Sequence, residues 1–179
     1  MFDKILVAID IKETDKSAFN TALSLAKTTG AKLMLLNVIV PNENNYPNPF
    51  IHSGYEYGLT NESLVTVYQE QWDKFRQRGI EALRSLVEEA TAAGVEAEFV
   101  QDFGNAGRTI CNHAQTWSAD LISIGSRGLT RVQEIFLGSV SNYVTHHAPC
   151  SILVIRTDNN SASNKLSQDE QTNVTANVS

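Results

Sequence analysis

The chain has 179 residues, of which 42% are hydrophobic and 19% are charged, and its formal net charge is −6 at pH 7. This length suits one domain with a sizeable core, and the composition is that of a soluble globular protein. The negative charge argues against a general affinity for nucleic acid or for anionic membranes, although it still allows one anionic ligand in a locally positive pocket. No apolar run approaches the roughly 18 residues expected of a membrane-spanning helix.

Features that report on the cellular compartment favour a reducing cytoplasm. The N-terminal stretch MFDKILVAID has an acid at Asp3 and only a short apolar run, so we do not expect a secretory signal. Cys111 and Cys150 are too few for a disulfide framework and lack the spacing of metal ligands. We therefore expect a cytoplasmic protein without a metal site of its own.

Apolar runs and helical periods alternate along the chain. Lys4–Asp10 and Lys32–Val40 are nearly continuous apolar runs, which is typical of strands buried on both faces of a parallel sheet. Helices are indicated where apolar residues recur at i, i+3, i+4 and i+7. The predicted elements, in chain order, are strand Lys4–Asp10, helix 14–29, strand Lys32–Val40, helix 61–93, strand Glu96–Gln101, a short helix that contains Ile110, Ala114 and Trp117, strand Leu121–Ile124, a helix from about Gly138 to His147, and strand Ser151–Arg156.

A few residues mark where the helices begin, end or weaken. Thr14 or Asp15 can cap the start of the first helix, and Gly30 can end it in the left-handed conformation. Gly79 is a weak point of the long helix, because glycine favours a bend or a break inside a helix.

Two stretches show no regular period. Residues 41–60 are rich in Asn, Pro and aromatic residues and predict an irregular loop. Residues 157–179 are polar, contain no aromatic residue and predict a disordered tail. We therefore expect one domain, residues 1–156, followed by this tail.

The alternation of strands and helices predicts a parallel sheet with helices on both faces. Ligands of such sheets bind beyond the carboxyl ends of the strands, at the switch in strand order. Asp10, Val38 and Gly125 all lie near the carboxyl ends of predicted strands. A binding site is therefore expected near these three residues.

The segment Ile122–Tyr143 is predicted to form a strand, a glycine-bearing loop and the first turn of a helix. Glycines let a backbone approach an anion closely, and a helix start offers unpaired N–H groups and the positive end of a dipole. The hydroxyls of Ser139 and Ser141 can add donors, so the arrangement suits a phosphate chain. Alternatively, the glycines only form turns and a serine only caps the helix. The spacing alone leaves both interpretations open.

The glycine spacing resembles a known signature. Gly125, Gly128, Gly138 and Ser139 follow the pattern G-x2-G-x9-G-S/T, which is similar to the ATP-binding signature of the universal stress protein family. Three flanking segments agree with the same family, and they are KILVAID at Lys4–Asp10, the pair Asp120-Leu121, and APCSILVIR at Ala148–Arg156. The resemblance spans roughly Phe2 to Arg156. It implies a five-stranded parallel sheet in the order 3-2-1-4-5, with helices on both faces, in a Rossmann-like adenine-nucleotide-binding fold.

The resemblance also implies which residues bind ATP. These are Ala8, Ile9, Asp10, Val38, Gly125, Arg127, Gly128, Gly138, Ser139, Val140 and Ser141. Val38 would contact adenine through its backbone, and Arg127 would reach a phosphate unless it is only solvated. The Asp10 carboxylate can accept hydrogen bonds from ribose hydroxyls or an adenine amine. From the pattern alone, a carboxylate that caps the next turn is slightly favoured.

No catalytic set is expected. Neither serine of the glycine segment has a histidine or lysine placed by the sequence to activate it, and the lysine and water-positioning residue of efficient NTPases are missing. We expect at most slow ATP hydrolysis, with any Mg²⁺ held through phosphate oxygens and water. His146 and His147 point about 100° apart on a helix and predict a solvated helix end rather than a metal site. Trp72 and Phe75 are predicted to be core residues rather than a stacking surface.

Three functions are compatible with the sequence. The resemblance favours a nucleotide-dependent stress-response or signalling module. One alternative is an enzyme of a related fold, either a slow ATPase or a nucleotidyl transferase. The other is an interaction scaffold without a bound nucleotide.

The last strand predicts a homodimer. In the implied strand order Ser151–Arg156 lies at a sheet edge, and its centre, Ile152–Ile155, is apolar, uncharged and free of proline. Edges of this kind are usually covered, charged or paired. We expect pairing with the same strand of a second copy, antiparallel about a two-fold axis, as in the resembling family. Alternatively, the tail covers the edge or a different protein binds it.

Overall fold

The computed structural model describes residues 1–11, 16–41, 61–126 and 137–156, with only the backbone for 61–64. Most of the predicted loop 41–60 and all of the predicted tail 157–179 lie outside these ranges. The elements are β1 (Lys4–Ala8), α1 (Ser17–Thr29), β2 (Lys32–Ile39), α2 (Asn61–Ala92), β3 (Ala97–Phe103), α3 (Ala106–Trp117), β4 (Leu121–Ser126), α4 (Ser139–His147) and β5 (Ser151–Arg156). None of the helices within the described ranges is long and apolar enough to cross a membrane.

The five strands form one parallel sheet in the order β3-β2-β1-β4-β5. β1 lies in the middle, where Val7 is in register with Leu35 of β2 and with Ser123 of β4. The expected α/β fold and its strand order are confirmed. The order switches between β1 and β4, and in open parallel sheets such a switch creates a crevice beyond the carboxyl ends. This crevice lies next to Asp10 and Gly125.

Two apolar layers hold the helices against the two faces of the sheet. Successive strand residues point to opposite faces. Val7 and Leu35 therefore pack in the layer of α1 and α2, whereas Leu6 and Leu36 pack in the layer of α3 and α4. Both faces of β1 and β2 are covered, which explains why these strands are nearly continuous apolar runs.

The Asp120 carboxylate joins β4 to β1 at the amino-terminal edge of the sheet. Its Oδ2 accepts hydrogen bonds from the backbone N–H groups of Asp3 and Lys4, each at 2.9 Å. These two bonds hold the pKa of Asp120 below its usual range. Asp120 therefore stabilises the pairing of β4 with β1, at the end of the sheet opposite to the crevice.

α1 begins later than predicted. Its first residue is Ser17 and Lys16 is the N-cap, so the predicted start at residue 14 is wrong, and both proposed caps lie outside the described residues. The apolar period is carried by Phe19 and later residues, so it does not determine the first turn. The predicted helix end is confirmed, because Gly30 has a φ of 77° and its N–H bonds to the Ala26 carbonyl at 2.8 Å.

α2 runs without interruption from Asn61 to Ala92, so the helix does not break at Gly79, the weak point indicated by the sequence. Gly79 is buried, and a Cβ at this position would collide with the side-chain amide of Gln101 on β3. Glycine therefore allows close approach of the helix to the sheet, and this packing offsets its low helix propensity.

Candidate functional site

A cavity of about 390 Å³ lies at the carboxyl ends of β1, β2 and β4. The first turn of α4 contributes to its wall, and so do residues of α1, α2 and α3. This volume is within the range of small-molecule sites, roughly 300 to 1,000 Å³. The cavity therefore occupies the position that the sheet topology indicates for a ligand.

Nine of the eleven predicted ligand residues line this cavity. They are Ala8, Ile9, Asp10, Val38, Gly125, Gly138, Ser139, Val140 and Ser141. They come from four segments that only the fold brings together. The other two, Arg127 and Gly128, lie outside the described residues. That these residues contact a ligand stays a prediction.

The first turn of α4 lies on the cavity wall without a side-chain cap from the described residues. Gly138 is the N-cap, and the first N–H groups of a helix, here those of Ser139 and Val140, have no intrahelical acceptor. By contrast, α3 is capped by Asn105, whose Oδ1 accepts from the N–H of Arg108 at 3.1 Å. α4 therefore offers the cavity backbone donors together with the positive end of a helix dipole.

The two serines of this turn have different surroundings. Ser141 is 2% exposed, and its hydroxyl donates to the Gly138 carbonyl at 3.0 Å. Ser139 is exposed. Ser139 is therefore the better-placed hydroxyl donor for a ligand, whereas Ser141 stabilises the turn that presents the backbone.

A buried amide supports the ends of β1 and β2. Asn37 lines the cavity and is 4% exposed. Its Nδ2 donates to the Ile9 carbonyl at 3.0 Å, and its Oδ1 accepts from Gln101 Nε2 at 3.3 Å. These bonds hold the carboxyl end of β1, where Asp10 follows. The sequence analysis missed Asn37, although one polar residue within the apolar run KLMLLNVIV was an available signal.

α2 forms a part of the wall that the sequence analysis also missed. Its lining residues are Phe75, Ala82, Ser85 and Leu86. The prediction that Trp72 and Phe75 are core residues is wrong, because both are only half-buried and neither belongs to the two apolar layers. Their rings stack with centroids 5.8 Å apart. Phe75 thus gives the cavity an aromatic surface supported by Trp72.

Two charged side chains line the described part of the cavity, Asp10 and Lys16. Asp10 is half-buried beyond the end of β1. Lys16 precedes α1, and its Nζ lies 3.0 Å from Glu89 Oε2 on α2. A single lysine in a polar segment carries no periodic signal, which is why the sequence analysis did not single it out.

Comparison with known proteins places this chain in a family. A model of the universal stress protein family matches residues 1–156. The chain belongs to the universal stress protein family. It is similar to a universal stress protein of Synechocystis, with 33% identity over 155 residues that cover 87% of this chain and 98% of the relative. It is also similar to the universal stress protein YxiE of Bacillus subtilis, with 32% identity over 163 residues that cover 87% of this chain and 100% of YxiE.

Solved universal stress proteins share the fold of this chain. UspA from Lactobacillus plantarum superposes with a TM-score of 0.65 and 25% identity, over 87% of this chain and 98% of that one. A universal stress protein family member of Arabidopsis thaliana, solved with AMP bound, has a TM-score of 0.59 and 23% identity. The match covers 88% of this chain and 93% of the Arabidopsis chain. Two more distant members were solved with cAMP and with dAMP, at TM-scores of 0.56 and 0.55.

Other polar groups of this universal stress protein lie outside the cavity lining. His113 Nε2 lies 2.7 Å from Asp102 Oδ2, and this hydrogen bond, with a second from the Phe103 N–H, lowers the pKa of Asp102. Burial raises the pKa of the Cys111 and Cys150 thiols. Both cysteines are therefore poor nucleophiles near neutral pH.

The histidine pair at the end of α4 is exposed in its last turn. His147 Nδ1 lies 2.8 Å from the Tyr143 carbonyl, and the two rings stack with centroids 4.0 Å apart. The predicted solvated helix end is confirmed. Within the described ranges, no three histidine, cysteine, aspartate or glutamate residues are grouped so that they could hold a metal ion.

Proposed function

We propose that this universal stress protein binds an adenine nucleotide in the cavity and acts in the cytoplasm as a nucleotide-dependent stress-response or signalling module. The observation that carries the proposal is the convergence of nine predicted residues on one cavity. Four distant segments of the sequence supply these residues, and the cavity lies at the switch in strand order, where α/β sheets bind their ligands.

Different groups of lining residues suit different parts of a nucleotide. The backbone N–H groups of Ser139 and Val140 at the start of α4 suit the phosphates. The Asp10 carboxylate suits the ribose hydroxyls. Val38 at the end of β2 and the Phe75 ring on α2 offer an apolar surface for the base. In this proposal Arg127 and Gly128 also belong to the phosphate site.

Relatives with the same fold support the class of ligand. AMP, cAMP and dAMP, the ligands of three solved universal stress proteins, share an adenine base and one phosphate. That the bound adenine nucleotide is ATP rests on the glycine signature. Mg²⁺ would be held through the phosphate oxygens and water, since it dehydrates reluctantly and favours phosphate ligands.

We also propose that two copies pair through β5. This strand is the last of the sheet and pairs with β4 on one side. Its four central residues, Ile152–Ile155, are half-buried in the single chain. Pairing with the same strand of a second copy would cover this apolar edge and satisfy its backbone groups.

Native mass spectrometry of freshly purified protein tests the proposed ligand. A retained mass of ATP, ADP or AMP is expected, and calorimetry with added ATP and GTP should show preference for the adenine base. Protein that retains no nucleotide and gives no binding heat with ATP, ADP or AMP at millimolar concentration would refute the proposal. Measuring phosphate release in the same samples separates a binding module from an enzyme, because a module should turn over ATP only very slowly.

A further inference from the structure

Lys16 occupies a position that local helix physics disfavours. It is the N-cap of α1, and no described side chain caps this helix. N-cap positions favour side chains whose oxygen accepts a backbone N–H, and lysine has no acceptor. Its positive charge is also opposed by the positive end of the helix dipole. Residues that break a local rule of this kind are concentrated at functional sites.

Lys16 is the only positively charged side chain among the described residues that line the cavity. The one negatively charged lining residue in the same ranges is Asp10. Within the described lining, an anionic ligand therefore meets one lysine and the start of α4, which has no side-chain cap from a described residue. Lysine provides a compact charge on a flexible four-carbon stem, which can follow a phosphate group over several positions.

Lys16 already has a partner outside the lining residues. Its Nζ lies 3.0 Å from Glu89 Oε2, and the two side chains are 50% and 43% exposed. An ion pair this exposed is weak, because water screens the charges and both long side chains lose freedom. Exchange of Glu89 for a phosphate in the cavity therefore costs little.

We propose that Lys16 binds the phosphates of the nucleotide and that Glu89 competes with the ligand for it. This inference rests on the proposed nucleotide binding. Lys16 leaves Glu89 when the cavity is filled, so ligand binding breaks an ion pair between α1 and α2. Affinity then depends on the charge of the phosphate chain, and α2 responds to occupancy.

The test is calorimetry of adenosine, AMP and ATP with Lys16→Met and Glu89→Gln at fixed ionic strength. Lys16→Met should weaken ATP binding about tenfold, the loss of one charge-assisted contact, and should leave adenosine unchanged. Glu89→Gln should strengthen ATP binding about twofold to threefold, because the competitor is removed. Lys16→Arg keeps the charge and should restore most of the affinity.

A second exposed ion pair provides matched controls. Lys32 Nζ lies 2.7 Å from Glu96 Oε1, and these side chains are 54% and 70% exposed. They stand where β2 and β3 begin, at the edge of the sheet opposite to the cavity. Lys32→Met and Glu96→Gln make the same charge changes, and each should alter ATP affinity by less than about twofold.

The direction of each change in affinity decides whether the proposed exchange of Glu89 for phosphate stands. Weaker ATP binding in Glu89→Gln would overturn the exchange, since it would show that the ion pair supports the site. Equal losses for adenosine and ATP in Lys16→Met would assign Lys16 to wall packing, and equal losses in Lys16→Met and Lys32→Met would reflect net charge alone. If native mass spectrometry and calorimetry show no nucleotide bound to wild type, the proposed function fails and this inference fails with it. If wild type binds ATP and the Lys16 variants match it, only the inference fails.

Discussion

Replacing Gly138 with valine should weaken nucleotide binding and leave the fold intact. Gly138 is the N-cap of α4 with φ −58° and ψ 159°, a conformation open to any L-residue, so the backbone does not itself require glycine. The residue lines the cavity beside Ser139 and Val140. A branched side chain here would occupy the space where we propose that the phosphates approach the helix start.

The size of the effect follows from the contacts that would be lost. A hydrogen bond to a charged group contributes about 1.5–3 kcal/mol, and the helix dipole adds about 0.3–1 kcal/mol near its end. Loss of a single phosphate contact therefore lowers ATP affinity by at least about tenfold, or roughly 1.4 kcal/mol. The folding cost is smaller, because valine ranks below glycine as an N-cap by roughly 1 kcal/mol.

Calorimetry of ATP with Gly138→Ala and Gly138→Val gives a graded test, in which alanine should cause the smaller loss. Asn105→Ala is the matched control, because it removes the side-chain cap of α3 without adding atoms to the cavity. It should lower the melting temperature and leave ATP affinity unchanged. Wild-type affinity in a well-folded Gly138→Val protein would refute the assigned phosphate site.

The remaining predictions concern assembly, the tail and pH. Val154→Pro removes a backbone donor from β5 and distorts the strand, so light scattering should show a dimer for wild type and a shift toward monomer for the variant; a wild type that stays monomeric at high micromolar concentration contradicts the dimer. Deletion of residues 157–179 should leave the melting temperature and ATP binding nearly unchanged, and a large drop in melting temperature would show that the tail packs on the domain. The hydrogen bond from His113 lowers the pKa of Asp102 in the folded chain. The ionised Asp102 carboxylate therefore stabilises the fold above its unfolded pKa of about 3.9, and this stabilisation is lost as pH falls through the pKa of Asp102 in the folded chain. In Asp102→Asn the melting temperature should therefore fall less steeply at acidic pH than in wild type, and an equally steep fall in both proteins contradicts this reasoning.

The sequence alone predicts most of the fold because the signals for a parallel sheet are local. Lys32–Ile39 is a strand buried on both faces, and such strands stand out as apolar runs too short for a helix. Helix ends are harder to predict. The end of α1 follows from Gly30, which adopts the left-handed conformation, whereas its start at Ser17 has no side-chain cap from a described residue and left no signal in the sequence.

The sequence also predicts which strand ends and which helix start meet. Asp10, Gly125 and Gly138 are 115 and 13 residues apart along the chain, yet all line one cavity. The glycine spacing identifies one side of this cavity because Gly125 follows a strand and Gly138 precedes a helix, and both residues leave the space beside the backbone free of side-chain atoms. Their role in ligand binding stays a prediction until it is measured.

The wall contributed by α2 was decided only by the tertiary structure. Apolar periodicity identifies the face of a helix that packs, but not the element that this face meets. α2 has 32 residues and β2 has 8, so at about 1.5 Å and 3.3 Å per residue the helix is about 48 Å long against a strand of about 26 Å. No residue from 65 to 78 is buried, whereas Gly79, Leu83 and Leu86 are. α2 therefore extends beyond the carboxyl ends of the strands. Phe75 lies on this part of the helix and lines the cavity instead of packing in the core.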